Sequence, residues 1–256
     1  MTIKNILGEI RRICFNLVET PIDPQRMDIK VGKGLQFITD PNLYNEIIKY
    51  LNAQFPTHRG VLSGELIFVD GVMKGSSPYI NVGVDMYLKS INSKHRIATQ
   101  RDLETNIEMF SGFYEDTGLE LGSIDHPNKD QAEYLYNQIK KINSRLKFPI
   151  FFDLRDLELG QNLNFNITTQ SRYKTADCLN WKDYTSCLQK DDFGLLVAKD
   201  NSPARHISAR HILAINSGLS RLYFDRDLGL GFYVGNLARS DDNGRVVLVS
   251  VEGGAP

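Results

Sequence analysis

The sequence predicts an α+β fold in which helices flank a mixed or antiparallel sheet. Apolar residues recur at helical spacing over residues 3–19, which predicts an amphipathic helix at the amino terminus. Three segments between residues 219 and 251 have strand-like patterns, which predicts a β-meander at the carboxyl terminus. Helix-rich and strand-rich blocks therefore do not alternate regularly along the chain, and this separation is typical of the α+β class.

Two helix starts are marked by a capping residue followed by proline. Asp40 precedes Pro41, and such a pair caps a helix and supplies the proline favoured at its first position. Ser202 and Pro203 repeat the pattern, and Gly218 is suited to end that helix. This second capped helix is predicted over residues 203–217. Further helices are predicted over residues 100–114, in a segment after Pro127, and over residues 181–189.

A long central hairpin is predicted from residues 61–69 and 79–88, which are strand-like and joined by a turn-rich segment. Asn243 and Gly244 form a typical hairpin turn, and they predict that the last two strands pair with each other. The remaining strand predictions cover residues 28–38 (itself hairpin-like), 148–154, 163–168, 193–198, 219–225, 230–238 and 245–251.

The composition is that of a globular protein with one substantial core. The chain has 256 residues, of which 41% are hydrophobic and 24% charged. A single α+β domain is predicted over residues 1–256, with residues 118–129 as the only candidate boundary between two lobes. Lys and Arg number 30 against 31 Asp and Glu, a net charge of -1. This balance argues against a surface that grips nucleic acid everywhere but allows a local basic groove.

A cytoplasmic location without membrane contact is expected. No segment resembles a signal peptide, and none reaches the ~20 apolar residues of a membrane span. The cysteines Cys14, Cys178 and Cys187 are odd in number and lack zinc-type spacing, so they are expected to be reduced thiols. The sequence has no phosphate-binding loop and no dinucleotide fingerprint, so no nucleotide or flavin cofactor is expected.

The first candidate site is acidic, and its predicted catalytic residues are Glu65, Asp70, Asp85 and Lys89. A metal-dependent nuclease uses carboxylates to hold a divalent cation and a lysine to orient water, so Asp70 and Asp85 are the predicted ligands of Mg²⁺. A hairpin carrying acids and a lysine resembles the layout of restriction-endonuclease-like nucleases, although three residues rather than one separate Asp85 from Lys89. On a strand this spacing would keep the two side chains on one face but far apart.

The second candidate site is basic, and its predicted nucleic-acid-binding residues are Lys94, Arg96, Arg101, His206 and Arg210. Lysine and arginine contacts to phosphate supply affinity that does not depend on sequence. The last two residues lie four apart near a predicted helix start, which also favours anions. The alternative interpretation is a solvated loop, because acidic residues that include Glu115 follow the cluster and compensate its charge.

Two classes of function remain open. The first is a nucleic-acid-binding or nucleic-acid-processing protein, including a nuclease that depends on a divalent metal. The second is a non-catalytic structural or interaction protein, such as a subunit of a virion or of another oligomeric assembly, and a homo-oligomer is expected. An enzyme should bring its acids and lysine into one pocket, whereas an assembly protein should expose a broad apolar patch.

Overall fold

The computed structural model describes residues 34–99, 102–103, 113–142, 148, 150–168, 173–175, 186–190, 196–203, 217–225, 230–233 and 236–250. Helices and several antiparallel sheets occur together in these residues, which confirms the predicted α+β class. The helix predicted over residues 3–19 lies outside the described residues, as do residues 28–33 and 204–216. In the described part of the chain, no helix is long and apolar enough to cross a membrane.

The first described helix, α1, spans Pro41–Gln54 and confirms the prediction of a capped start. The Oδ1 atom of Asp40 accepts a hydrogen bond from the N–H of Asn42 at 2.8 Å. Ile47 and Leu51 lie one turn apart and are fully buried. One face of the helix therefore packs into the core, as its apolar spacing predicts.

Helix α2 spans Pro78–Ser90, so the strand predicted over residues 79–88 is wrong. The Oγ atom of Ser77 accepts the N–H of Ile80 at 3.2 Å, and a proline fills the first helical position. This is the cap pattern that begins α1. The helix is buried on nearly every side. A helix that is buried on nearly every side shows little helical periodicity in its apolar residues, and this is why its sequence resembled a strand.

A short hairpin precedes α2, and it replaces the long hairpin predicted over residues 61–88. Strand β2 (Ile67–Val69) pairs antiparallel with strand β3 (Val72–Lys74). The two turn residues, Asp70 and Gly71, have φ angles of 54° and 75°. Two successive positive φ values define the tight turn that suits the twist of a hairpin, and Asp-Gly is a favoured pair for it.

The main sheet has five strands. They are β5 (Tyr114–Leu121), β6 (Ile150–Asp153), β9 (Tyr173–Thr175), β12 (Leu219–Asp225) and β13 (Leu230–Tyr233). Their order is β13-β12-β5-β6-β9, and every neighbouring pair is antiparallel. The middle strand, β5, is buried along nearly its whole length. Helix α3 (Lys129–Ile142) follows β5 and confirms the helix predicted after Pro127.

A second sheet has three strands, β1 (Leu35–Phe37), β4 (His95–Ile97) and β14 (Val247–Ser250). Their order is β1-β14-β4, again antiparallel. Two further antiparallel pairs complete the described strands. They are β7 (Leu157–Leu159) with β8 (Phe165–Ile167), and β10 (Ser186–Lys190) with β11 (Leu196–Pro203).

The hairpin predicted between the last two strands is wrong. Strand β13 pairs with β12, whereas β14 pairs with β1 and β4 in the other sheet. A Cβ atom on Gly244 would lie only 2.6 Å from the backbone nitrogen of Ser76. The glycine therefore allows the chain to pass close to the start of α2, and it does not turn one strand into the next.

Three other predictions are corrected at their ends. Tyr114 begins strand β5, so it cannot end the helix predicted over residues 100–114. Residues 186–189 belong to strand β10 and not to a helix. Pro203 lies at the end of strand β11, so it does not begin a helix there. In each case strand pairing outweighed a local helix signal, with the distant strand β12 for Tyr114 and between the neighbouring strands β10 and β11 for the other two.

Candidate acid–base site at the end of helix α2

Asp85 and Lys89 form an ion pair on helix α2, with Nζ of Lys89 2.7 Å from Oδ2 of Asp85. The side chain of Asp85 is 2% exposed and that of Lys89 is 48% exposed. The helix brings them together because residues four apart lie on the same face. The prediction that they lie far apart is wrong, since it assumed a strand. A buried carboxylate is thus neutralised by an ammonium that also reaches solvent.

A chain of polar contacts connects Lys89 to the end of strand β6. Its Nζ donates a hydrogen bond to the backbone carbonyl of Arg155 at 2.9 Å. Arg155 lies in a 3₁₀ turn, Leu154–Asp156, that directly follows β6. The N–H of Arg155 donates to Oδ1 of Asp153, also at 2.9 Å. One peptide segment is therefore held by an acid at its N–H and by a lysine at its carbonyl.

Asp153 is a site residue that the sequence analysis missed. Burial raises the pKa of its carboxyl group to about 7, and the charges of Asp156 and Asp85 act in the same direction. The hydrogen bond and the charge of Arg155 oppose this rise. Asp153 is half-buried as a residue, but its carboxyl is densely surrounded. An acid at the end of a short apolar strand was the sequence signal that could have revealed it.

Arg96, on strand β4, joins the same cluster. Its guanidinium donates to both oxygens of Asp102, at 2.6 and 2.9 Å. Burial lowers the pKa of Arg96, but the hydrogen bonds and charge of Asp102 outweigh it and raise the pKa overall. The charges of Asp153 and Asp85 also raise the pKa of Arg96. The acidic and basic candidates, which were predicted separately, therefore lie within electrostatic reach of each other.

The other predicted basic residues are only partly described. Lys94 is exposed in the segment between α2 and β4. Arg101, His206 and Arg210 lie outside the described residues, so their predicted contacts with nucleic acid stay predictions.

The remaining predicted acids have contacts of their own. Asp70 sits in the exposed turn of the β2–β3 hairpin, where its Oδ2 lies 3.2 Å from Nζ of Lys74. Glu65 ends the exposed 3₁₀ turn Ser63–Glu65. Among the described residues, no three or more His, Cys, Asp or Glu side chains are grouped so that they could hold a metal ion. Of the four predicted catalytic residues, the contacts join Asp85 and Lys89.

A second polar cluster lies in the core. The Nε atom of Arg221 donates to Oδ1 of Asp116 at 2.6 Å, and both side chains are buried. The hydroxyl of Ser76 donates to Oδ2 of Asp116 at 3.0 Å and accepts its N–H at 2.9 Å. Asn81 donates to the backbone carbonyl of Asp116 at 2.7 Å. Because these groups satisfy one another, the cluster joins α2 to strands β5 and β12 as a structural element.

Glu115 corrects an expectation about charge compensation. It was expected to lie in solvent near the basic residues, but its carboxyl is fully buried in strand β5. Burial raises the pKa of Glu115 well above its ordinary value. The hydrogen bond from the N–H of Val247 opposes this rise, whereas the charge of Asp116 adds to it. A group in this state contributes little negative charge to the surface.

Comparisons of the chain with models of protein families, with curated proteins and with solved structures found no match. The chemistry of the site is therefore the basis for assigning a function.

Proposed function

We propose that this protein binds and processes nucleic acid through a cluster formed by Asp85, Lys89 and Arg96. The observation that supports the proposal is that the buried carboxylate of Asp85 lies 2.7 Å from the ammonium of Lys89, which is about half exposed. Phosphodiester chemistry needs both kinds of group in one place. Cations hold the phosphate and stabilise the charge that develops on it, and a carboxylate directs water or a metal ion.

Lys89 is the cation that would meet the substrate. Its side chain is about half exposed, so a phosphate can approach the ammonium from solvent while the ammonium still contacts Asp85. Lys94 is exposed nearby in the chain and would add a second contact. Contacts of this type position the nucleic acid backbone but do not read its bases. The substrate class is therefore nucleic acid without strong sequence preference.

Asp85 would direct the chemistry, with Mg²⁺ as its cation. Its Oδ2 atom lies 2.7 Å from Nζ of Lys89, but a carboxylate offers about four lone-pair sites, so Asp85 retains the capacity to bind a second cation. Mg²⁺ commonly uses one or two carboxylates together with substrate phosphates, and here Asp85 and the phosphate oxygens would hold the ion together. The ion would supply charge stabilisation to the reacting phosphate.

The proposal is tested by measuring binding and cleavage of single-stranded and double-stranded DNA and RNA, with Mg²⁺ or Mn²⁺ present. Asp85→Asn should slow cleavage on the order of 10²-fold with binding retained. Lys89→Met should weaken binding and reduce its salt dependence by about one phosphate contact. The matched control is Lys49→Met, at an exposed lysine of α1, and it should change neither cleavage nor binding. A wild-type protein that neither binds nor cleaves any of these substrates would refute the proposal.

A second candidate function is a non-catalytic subunit of a homo-oligomer. The β2–β3 hairpin supports it, because Ile67 and Val69 are 43% and 38% exposed and share one face of β2. Val72 lies directly opposite Val69 on β3 and extends this face. An apolar face on a short hairpin is suited to association with a second copy.

Light scattering should detect an oligomer if this candidate function is right. Val69→Asp should dissociate the oligomer, whereas Ile91→Asp, at another exposed apolar residue, should leave it intact. A monomer at high concentration would count against this candidate.

A further inference from the structure

We propose that Asp153 is a positioning residue that holds the Lys89 ammonium in place through the turn between them. The inference rests on the proposed function only in treating Lys89 as the group that meets the substrate. Asp153 lies at the end of β6 and Lys89 lies near the end of α2, so the two residues are far apart in the sequence. Two contacts connect them through Arg155, and a third anchors Asp153 to the sheet.

The first contact orients the ammonium. Lys89 Nζ lies 2.7 Å from Oδ2 of Asp85 and donates to the carbonyl of Arg155 at 2.9 Å. A lysine ammonium sits on a flexible four-carbon stem, and a half-exposed lysine without these two contacts would sample many conformers. Two acceptors on two different elements restrict the directions it can take. The carbonyl of Arg155 therefore helps to decide where the positive charge is held.

The second contact orients that carbonyl. Arg155 is the middle residue of the 3₁₀ turn Leu154–Asp156, and its N–H donates to Oδ1 of Asp153 at 2.9 Å. Asp153 has an extended backbone, with φ of -76° and ψ of 137°, as an N-cap requires. The N–H of Leu157 closes the other end of the turn by bonding to the carbonyl of Leu154. Loss of the cap would free the N–H side of the turn and loosen the carbonyl that Lys89 uses.

The third contact anchors the cap itself. Asp153 pairs with Gly118 of β5, the middle strand of the five-stranded sheet. A Cβ atom at Gly118 would lie 2.6 Å from the carbonyl oxygen of Phe152, so β5 and β6 approach closely at this point. The cap is thus held at the close approach of two paired strands, and the turn connects this position to the lysine on α2. Groups held by strands are positioned more exactly than groups held by loops alone.

The experiment measures how fast an amine-acylating reagent modifies Lys89, read by mass spectrometry on the folded full-length protein. Asp153→Ala removes the cap, and acylation of Lys89 should rise by up to about fivefold, because half-exposed contacts of this kind hold roughly 1 kcal/mol or less. Asp153→Asn keeps an oxygen that caps well, so it should restore the wild-type rate. Asp40→Ala is the matched control, since it removes the same kind of cap from α1.

An unchanged Lys89 rate in folded Asp153→Ala overturns the proposal, and so does an equal rise in Asp40→Ala. If Asp153→Ala does not fold, two measurements on the wild type test the proposal instead. The Arg155 amide should be protected from hydrogen exchange, and Lys89 should be acylated more slowly than the exposed Lys49. Failure of either expectation overturns the proposal. Acylation needs no substrate, so the test of the positioning role does not depend on nucleic acid activity. A wild type that lacks such activity would refute the proposed function but would not change the acylation result. In an active protein, Asp153→Ala should slow cleavage and Asp153→Asn should restore it.

Discussion

Glu115 carries a buried carboxyl group whose Oε1 atom accepts a hydrogen bond from the N–H of Val247 at 3.0 Å. Glu115 lies in β5, the middle strand of the five-stranded sheet, and Val247 lies in β14, the middle strand of the three-stranded sheet. This side chain therefore joins the middle strands of the two sheets, near the start of each strand. Its raised pKa makes this contact, and the stability of the fold, sensitive to pH.

The first prediction concerns Glu115. Its folded pKa is raised above the ordinary value, mainly by burial, so its contribution to stability is complete at low pH and is lost as the pH rises above about 4.5. Glu115→Gln cannot ionise and should be more stable than the wild type at pH 8 but not at pH 4. Urea unfolding across this range measures it, with exposed Glu133→Gln as the control. A Gln variant that is less stable than the wild type at pH 8 would contradict the assignment.

The second prediction concerns Asp153, whose pKa is raised to about 7. The same sign applies, so the wild type should lose stability as the pH rises from about 4 through 7. Asp153→Asn mimics the protonated acid and should remove this loss. Urea midpoints of wild type and variant should agree near pH 4 and separate progressively up to pH 8. Equal midpoints at both pH values would show that Asp153 titrates at its ordinary pKa.

The third prediction concerns the buried pair of Arg221 and Asp116. Arg221→Met leaves the carboxylate of Asp116 in the core without its cation, and this should cost about 3–5 kcal/mol of unfolding free energy. The control is Lys74→Met, which breaks the pair with Asp70, whose side chain is 77% exposed. That loss should stay below about 1 kcal/mol. Similar losses in the two variants would mean that Arg221 is not the main partner of Asp116.

The fourth prediction compares the caps of the first two helices. Ser77→Ala and Asp40→Ala each remove an N-cap side chain, which costs about 1 kcal/mol. Ser77 is fully buried and Asp40 is exposed, so water can replace only the second cap. Ser77→Ala should therefore lose about 1 kcal/mol more, because the N–H of Ile80 is left unsatisfied in the core. Thermal or urea unfolding measures the difference, and equal losses would argue against a buried cap.

The helix caps were sequence signals that had to be weighed against apolar runs. Asp40 with Pro41 correctly predicted α1, whereas Ser77 with Pro78 was overlooked because the segment after them is mostly apolar. Ser202 with Pro203 has the same chemistry and yet ends a strand. A capping pair lowers the energy of a helix start, but partner strands elsewhere in the chain can offer more.

The candidate site was only half accessible to sequence reasoning. Asp85 and Lys89 were among the four catalytic candidates, but they were expected to lie far apart on a strand, whereas helix α2 brings them to 2.7 Å. Asp153 was missed, since its role depends on a turn that meets α2 from a distant part of the chain. Asp70 was selected for its charge, whereas its positive φ and its position before Gly71 make it a turn residue.

The α+β class and the cap of α1 follow from the order of residues, because they depend on patterns and contacts among residues close together in the chain. The folded chain was needed to show that Asp85 and Lys89 lie on a helix, and that Arg155 links Asp153 to Lys89. It was needed too for the pairing of β14 with β1 and β4 and for the burial of Glu115 against Val247. Such contacts depend on which distant segments bury each other's apolar surface, and many segments have patterns that would fit.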